Sequence, residues 1–72
     1  MRAIKKDEGI ELLEKQGKYY LEYDAGTHMI KKKRIEISQE EADICQYDEE
    51  EMYNLILQYQ NHGVYGEDIF IQ

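Results

Sequence analysis

From Ile10 to Ile37 the chain reads as short strands, with period-two alternation clearest over residues 18–24, and from Ser38 onward apolar residues recur at helical spacing. This switch constrains the fold more than any other feature of the chain, because the two periods belong to different backbones. Residues 10–15 and 18–23 flank Gln16-Gly17, where glycine supplies the positive φ of a tight hairpin turn. Tyr19, Leu21 and Tyr23 share one strand face, and Tyr20, Glu22 and Asp24 share the other. A turn is expected at Asp24-Ala25-Gly26-Thr27, then a third strand from about His28 to Ile37. Its inward set would be Met29, Ile35 and Ile37, interrupted by Lys31 and Lys33, which suits an edge position.

Two helix starts follow. Ser38-Gln39-Glu40-Glu41 fits a capping box, opening a short helix to about residue 45 or 46 that buries Ala42 and one of Ile44 or Cys45. Asp48 caps a second, longer helix, with Glu49, Glu50 and Glu51 at the positive end of its dipole. Met52, Leu55, Ile56 and Tyr59 form its apolar stripe, and Gly63 suits the position just past its end. Residues 69–71 are short, apolar and bulky, fit for a last strand or a tail beneath the helix. The expected architecture is α+β: a small antiparallel meander of three to four strands packed against one long and one short helix. Seventy-two residues make a single domain, spanning 1–72, with the polar residues 1–8 free to fray unless Ala3 and Ile4 join a sheet edge.

A domain this small needs efficient packing or self-association when disulfides and metals are lacking. Cys45 is the only cysteine, and with His28 and His62 it forms no metal-ligand spacing, so neither metal nor cofactor is expected. A lone cysteine suits a reducing compartment. Acidic residues interrupt the N-terminal stretch before an apolar segment can form, and no apolar run approaches a membrane span. Cytoplasmic location and no membrane partner are therefore expected.

Catalysis finds little support. Ser38 has its capping role, Cys45 sits where a small core residue belongs, and the two histidines fall in a turn and at a helix end. The acids gather at helix starts, without the spacing of a calcium loop. No catalytic residue is assigned and a non-enzyme is expected.

Charge is distributed unevenly. Residues 1–34 hold nine basic and six acidic residues, a net +3. Residues 35–72 hold ten acidic residues and no Lys or Arg, a net −10. Such a half repels nucleic acid and anionic membrane and attracts basic protein surfaces. The basic run 31–34 reads as a solvated strand, since its side chains alternate between faces. Seven tyrosines with one phenylalanine and no tryptophan add aromatic surface of the kind found at interfaces. The candidate partner-binding residues are thus Asp48, Glu49, Glu50, Glu51, Tyr53, Glu40, Glu41 and Tyr20.

In size and acidity, and in lacking catalytic motifs, the chain resembles small phage-encoded inhibitors of bacterial defence of the anti-CRISPR type. It is similar in the same way to short acidic proteins of Firmicutes, their phages and mobile elements. From the acidic, Lys- and Arg-free half and the tyrosines, a non-catalytic inhibitor or adaptor is expected that docks this surface on a basic protein, in its sharpest form a nucleic-acid mimic, and the resemblance covers general character alone, with no shared motif. Two other readings suit the residues. One is a homodimer or larger self-associating structural or regulatory assembly, in which residues 31–34 of one copy meet residues 48–51 of another. The other is a small-ligand binder with its pocket at a subunit boundary.

Overall fold

The computed structural model describes residues 1–7, 9–24 and 32–69. Four strands of six or seven residues come first: β1 (Arg2–Asp7), β2 (Ile10–Lys15), β3 (Lys18–Asp24) and β4 (Lys32–Ile37). Helices α1 (Gln39–Tyr47) and α2 (Glu49–Asn61) follow, and a three-residue β5 (Glu67–Ile69) ends the described chain. The sheet is an antiparallel meander in the order β1-β2-β3-β4-β5, so both helices lie within the β4–β5 connection. The α+β class is as the periodicities require.

Between β2 and β3, Lys15 pairs with Lys18 across Gln16 and Gly17. Their φ values of 53° and 80° are both positive, the condition of a turn whose twist matches the strands. Register then places Leu12, Leu21 and Ile35 in one row on the covered face, with Tyr19 opposite Ile37 beside them. Ala42 and Cys45 of α1 and Met52, Leu55 and Ile56 of α2 close over this row. Leu12, Leu21, Cys45 and Met52 are fully buried, and each large apolar side chain withdrawn in this way contributes about 1.5–3 kcal/mol.

One expectation is corrected, and two open alternatives are decided. Residues 2–7, read as free to fray unless Ala3 and Ile4 join a sheet edge, form β1 on that edge. Ala3 pairs with Leu13 and the register shifts across Ile4, which packs against the core. A bulge and two adjacent lysines on this edge discourage pairing with another chain. The edge position expected for the third strand is the one corrected: β4 is not an edge strand, because Lys32, Lys33 and Arg34 pair with Ile69, Asp68 and Glu67. On α1, Ala42 is buried as expected, and of the two further candidates it is Cys45 that is buried while Ile44 is half-exposed. The expected turn at residues 24–27, the start of the third strand and residues 70–71 lie wholly or largely outside the described residues.

The other sheet face carries no described helix. Lys6, Glu11, Glu22, Arg34 and Glu67 cross it in one row. Glu11 and Glu22 are directly opposed, a repulsive pair, and cations flank both. Lys6 lies 3.7 Å from Glu11, and Glu22 has Arg34 at 3.2 Å and Lys32 at 4.0 Å. In the next row Leu13, 6% exposed, pairs with Tyr20, whose ring centroid lies 5.8 Å from the Arg34 guanidinium carbon.

Candidate functional site

The helical layer is built on three caps. Ser38 Oγ accepts from the Glu41 N–H at 3.1 Å, and the Glu41 carboxylate accepts from the Ser38 N–H at 2.9 Å, completing the capping box. Asp48 alone joins the helices: its N–H donates to the Ile44 carbonyl at 3.1 Å, and its Oδ1 accepts from the Glu50 N–H at 3.0 Å. At the far end the Val64 and Gly63 N–H groups donate to the carbonyls of Tyr59 and Gln60, with Gly63 at φ 82°, which makes a Schellman ending.

The helices fold back on each other, so the end of α2 meets the start of α1. There the Tyr59 hydroxyl donates to the Glu41 carboxylate at 2.7 Å. Burial works against the Glu41 charge, but hydrogen bonds from the Ser38 N–H, the Tyr59 hydroxyl and the Ser38 hydroxyl outweigh it, so its pKa is lowered. Tyr59 is pushed up to about 12, by burial first and then by its bond to Glu41 and that carboxylate's charge. At the junction of the helices, Lys5 of β1 donates to the Gln46 carbonyl at 2.9 Å and stands 4.0 Å from Glu49. A cation at the end of α1 meets the negative pole of its dipole.

The structure separates the sequence-derived candidates into groups. Glu49 and Glu50 are exposed at the start of α2, with Tyr53 one turn on, while Glu51 is half-buried. Asp48 is engaged as a cap, and Glu41 is held by Ser38 and Tyr59. Glu40 is exposed, but at the opposite end of the helical hairpin, roughly 13 Å away along the nine residues of α1. Tyr20 is not part of this surface. It lies on the far face of the sheet beneath Arg34.

The basic run is spent within the sheet. Lys32 and Arg34 both reach Glu22, while Lys31 lies outside the described residues. A dimer made by this strand against residues 48–51 of a second copy would have to draw both cations away from Glu22.

Charge is thus sorted by layer. Residues 38–62 contain seven acids (Glu40, Glu41, Asp43, Asp48, Glu49, Glu50 and Glu51) and no Lys or Arg, while the rest of the chain holds nine of each sign. The entire net charge of −7 therefore resides in the helical hairpin. Large apolar side chains are exposed on the same layer: Tyr47 at 93%, Tyr53 at 57%, Ile44 at 52% and Leu57 at 39%.

Beside α2 runs a groove of about 730 Å³, bounded by Asp7 and Ile10 at the β1–β2 end, Tyr23 and Asp24 at the end of β3, and Glu49, Glu50, Tyr53, Leu57 and Gln60 of the helix. Gln60 Nε2 donates to the Tyr23 hydroxyl at 3.1 Å, and that hydroxyl donates to the Tyr65 carbonyl at 2.8 Å. Sequence reasoning passed over Asp7, Ile10 and Leu57. The spacing of Tyr53 and Leu57, off the buried stripe, was the available signal for Leu57. For Asp7 and Ile10 there was none, since only the docking of α2 on the sheet brings them near it.

Cys45 is fully buried, and its thiol is pushed up to about 11 by burial and then by the charges of Glu51 and Glu41. That environment suits a packing residue rather than a nucleophile. His62 ends α2 with its backbone N–H, and His28 lies outside the described residues. Among the described residues, no three His, Cys, Asp or Glu side chains gather as a metal-binding set, and no helix is long and apolar enough to cross a membrane. Comparison with protein-family models, curated proteins and solved structures finds no match to this chain.

Proposed function

We propose that this protein is a non-catalytic protein-binding module, an inhibitor or adaptor that docks its helical layer on a basic partner. One observation carries the reading: all of the net negative charge is concentrated on the layer that also exposes Ile44, Tyr47, Tyr53 and Leu57. Uncompensated carboxylates steer a cationic surface into encounter, and exposed aromatic and aliphatic side chains supply the area that holds it. The sheet layer is neutral and its cations are largely engaged, so it does not compete for the same partner. In its sharpest form the carboxylates stand in for phosphates, and duplex DNA then competes for the partner.

The test is capture of partners from the native host's lysate at low and high salt, with mass-spectrometric identification. A basic protein retained at low salt and released at high salt supports the reading. Neutralising Glu49, Glu50 and Glu51 together should then weaken capture and flatten its salt dependence, in a domain that a thermal melt shows to be still folded at the temperature of the assay. Unchanged affinity in that variant would remove the electrostatic basis.

A further inference from the structure

We propose that the groove beside α2 is an arginine-binding site, which seats a guanidinium side chain of the basic partner. The inference rests on the function proposed above and names where on the acidic layer recognition is focused. Glu49, Tyr53 and Gln60, and likewise Glu50, Tyr53 and Leu57, are spaced by three, four or seven residues. They therefore share one flank of α2, next to its buried stripe. That flank faces Asp7 and Ile10 across the groove. The carboxylates of Asp7, Glu49 and Glu50 thus converge with an aromatic ring and apolar walls.

Such a combination fits arginine better than a bare cation. A guanidinium stacks on a tyrosine ring while pairing with carboxylates, and its aliphatic stem covers apolar surface. The charge is also available. Among the described residues, neither Asp7 nor Glu50 has an ion-pair partner, and Glu49 has only Lys5 at 4.0 Å. The acids at the start of α1 have no comparable setting. Glu41 is already bound by Ser38 and Tyr59, and the smaller depression at the other end of α1, lined by Asp43, Gln46 and Tyr47, has one carboxylate and no aliphatic wall.

The experiment titrates the isotopically labelled protein with a short peptide of alternating arginine and leucine, following backbone amide shifts. A lysine-for-arginine peptide runs in parallel. Shifts should concentrate at Ile10, Glu49, Glu50, Tyr53 and Leu57, with weaker binding of the lysine peptide. The pair Asp7→Asn, Glu50→Gln should lower affinity about five-fold or more, and Leu57→Ser should also weaken binding. The pair Glu40→Gln, Asp43→Asn removes the same formal charge and should have less effect. Thermal melts confirm that each variant is folded. Shifts spread along both helices, equal losses in the two charge pairs, or equal binding of the lysine peptide would overturn the groove while leaving the acidic layer as a binding surface. No response to either peptide would overturn both.

Discussion

The Tyr59 hydroxyl donates a 2.7 Å hydrogen bond to the Glu41 carboxylate, joining the end of α2 to the first turn of α1. Glu41 Oε1 also accepts from the Ser38 N–H, so one carboxylate oxygen closes both the capping box and the helical hairpin. The only covalent link between the helices is the single residue Asp48, at the other end. The Tyr59–Glu41 bond is therefore the polar clasp that holds the acidic layer in shape.

Replacing Tyr59 by phenylalanine should destabilise the fold by about 1 kcal/mol at pH 7, below the usual range for a charged acceptor because both groups are partly exposed. The lowered pKa of Glu41 is stabilising above its ordinary value of 4.5, and that contribution disappears as pH falls through the folded-state value. Urea unfolding of the wild type and Tyr59→Phe should accordingly converge as pH drops below 4.5. A difference unchanged at pH 3 would mean that the clasp acts by packing alone.

The alkaline limb should be steep. Cys45 is raised from 9.0 to about 11 and Tyr59 from 10.0 to about 12, so both hold their protons more firmly folded than unfolded. Their stabilisation is complete below the unfolded values and is lost as pH rises through 9 to 12. Melting temperature measured against pH should decline from about pH 9, and Cys45→Ala should remove the earlier part of that decline.

Cys45 should resist thiol reagents in the native protein. Its side chain is fully buried and its thiolate disfavoured, so labelling with a disulfide reagent at pH 8 should be at least about a hundredfold slower than in the urea-unfolded chain. Rapid native labelling would show that the start of α2 separates readily from α1.

Gly66 has a positive φ of 84°, and a Cβ there would lie 2.7 Å from the Arg34 carbonyl oxygen. Gly17 also has a positive φ, but nothing within 4 Å of its Cβ position. Gly17→Ala should therefore cost about 1 kcal/mol, the conformational penalty alone, while Gly66→Ala should cost about 2 kcal/mol or more by lifting β5 from β4. Denaturant unfolding of the two variants makes the comparison directly.

Much of this architecture was legible in the residues because it is local. The capping box at Ser38, the Asp48 cap, the stripe through Met52 and Tyr59 and the glycine ending at Gly63 each depend on neighbours a few positions away. So does the Gln16-Gly17 hairpin. The acidic residues of the candidate site were legible as charges, and Glu49, Glu50 and Tyr53 fall on the flank that borders the groove. Less legible was which charges are already used. Glu41 read as a capping and partner-facing carboxylate until the fold adds Tyr59, and the place of Glu22 on a strand face did not announce Arg34 and Lys32. Tyr20 read as a partner-facing tyrosine until the helices took the opposite side of the sheet.

The sequence by itself determined the order of β2, β3, β4, α1 and α2, the helix caps and the Gln16-Gly17 turn, the buried stripe and the confinement of net charge to residues 38–62. These follow from backbone periodicity and short-range hydrogen bonding, which act over one or two turns. Only the tertiary structure decided that β1 would hold a sheet edge, that β5 would cover part of β4, and that Asp7 and Ile10 would stand across a groove from Glu50 and Tyr53. Those placements come from burying Leu12, Leu21 and Ile35 beneath Met52, Leu55 and Ile56. Burial of apolar area sets how far one element docks over another, and it carries no signal at the positions it incidentally brings together.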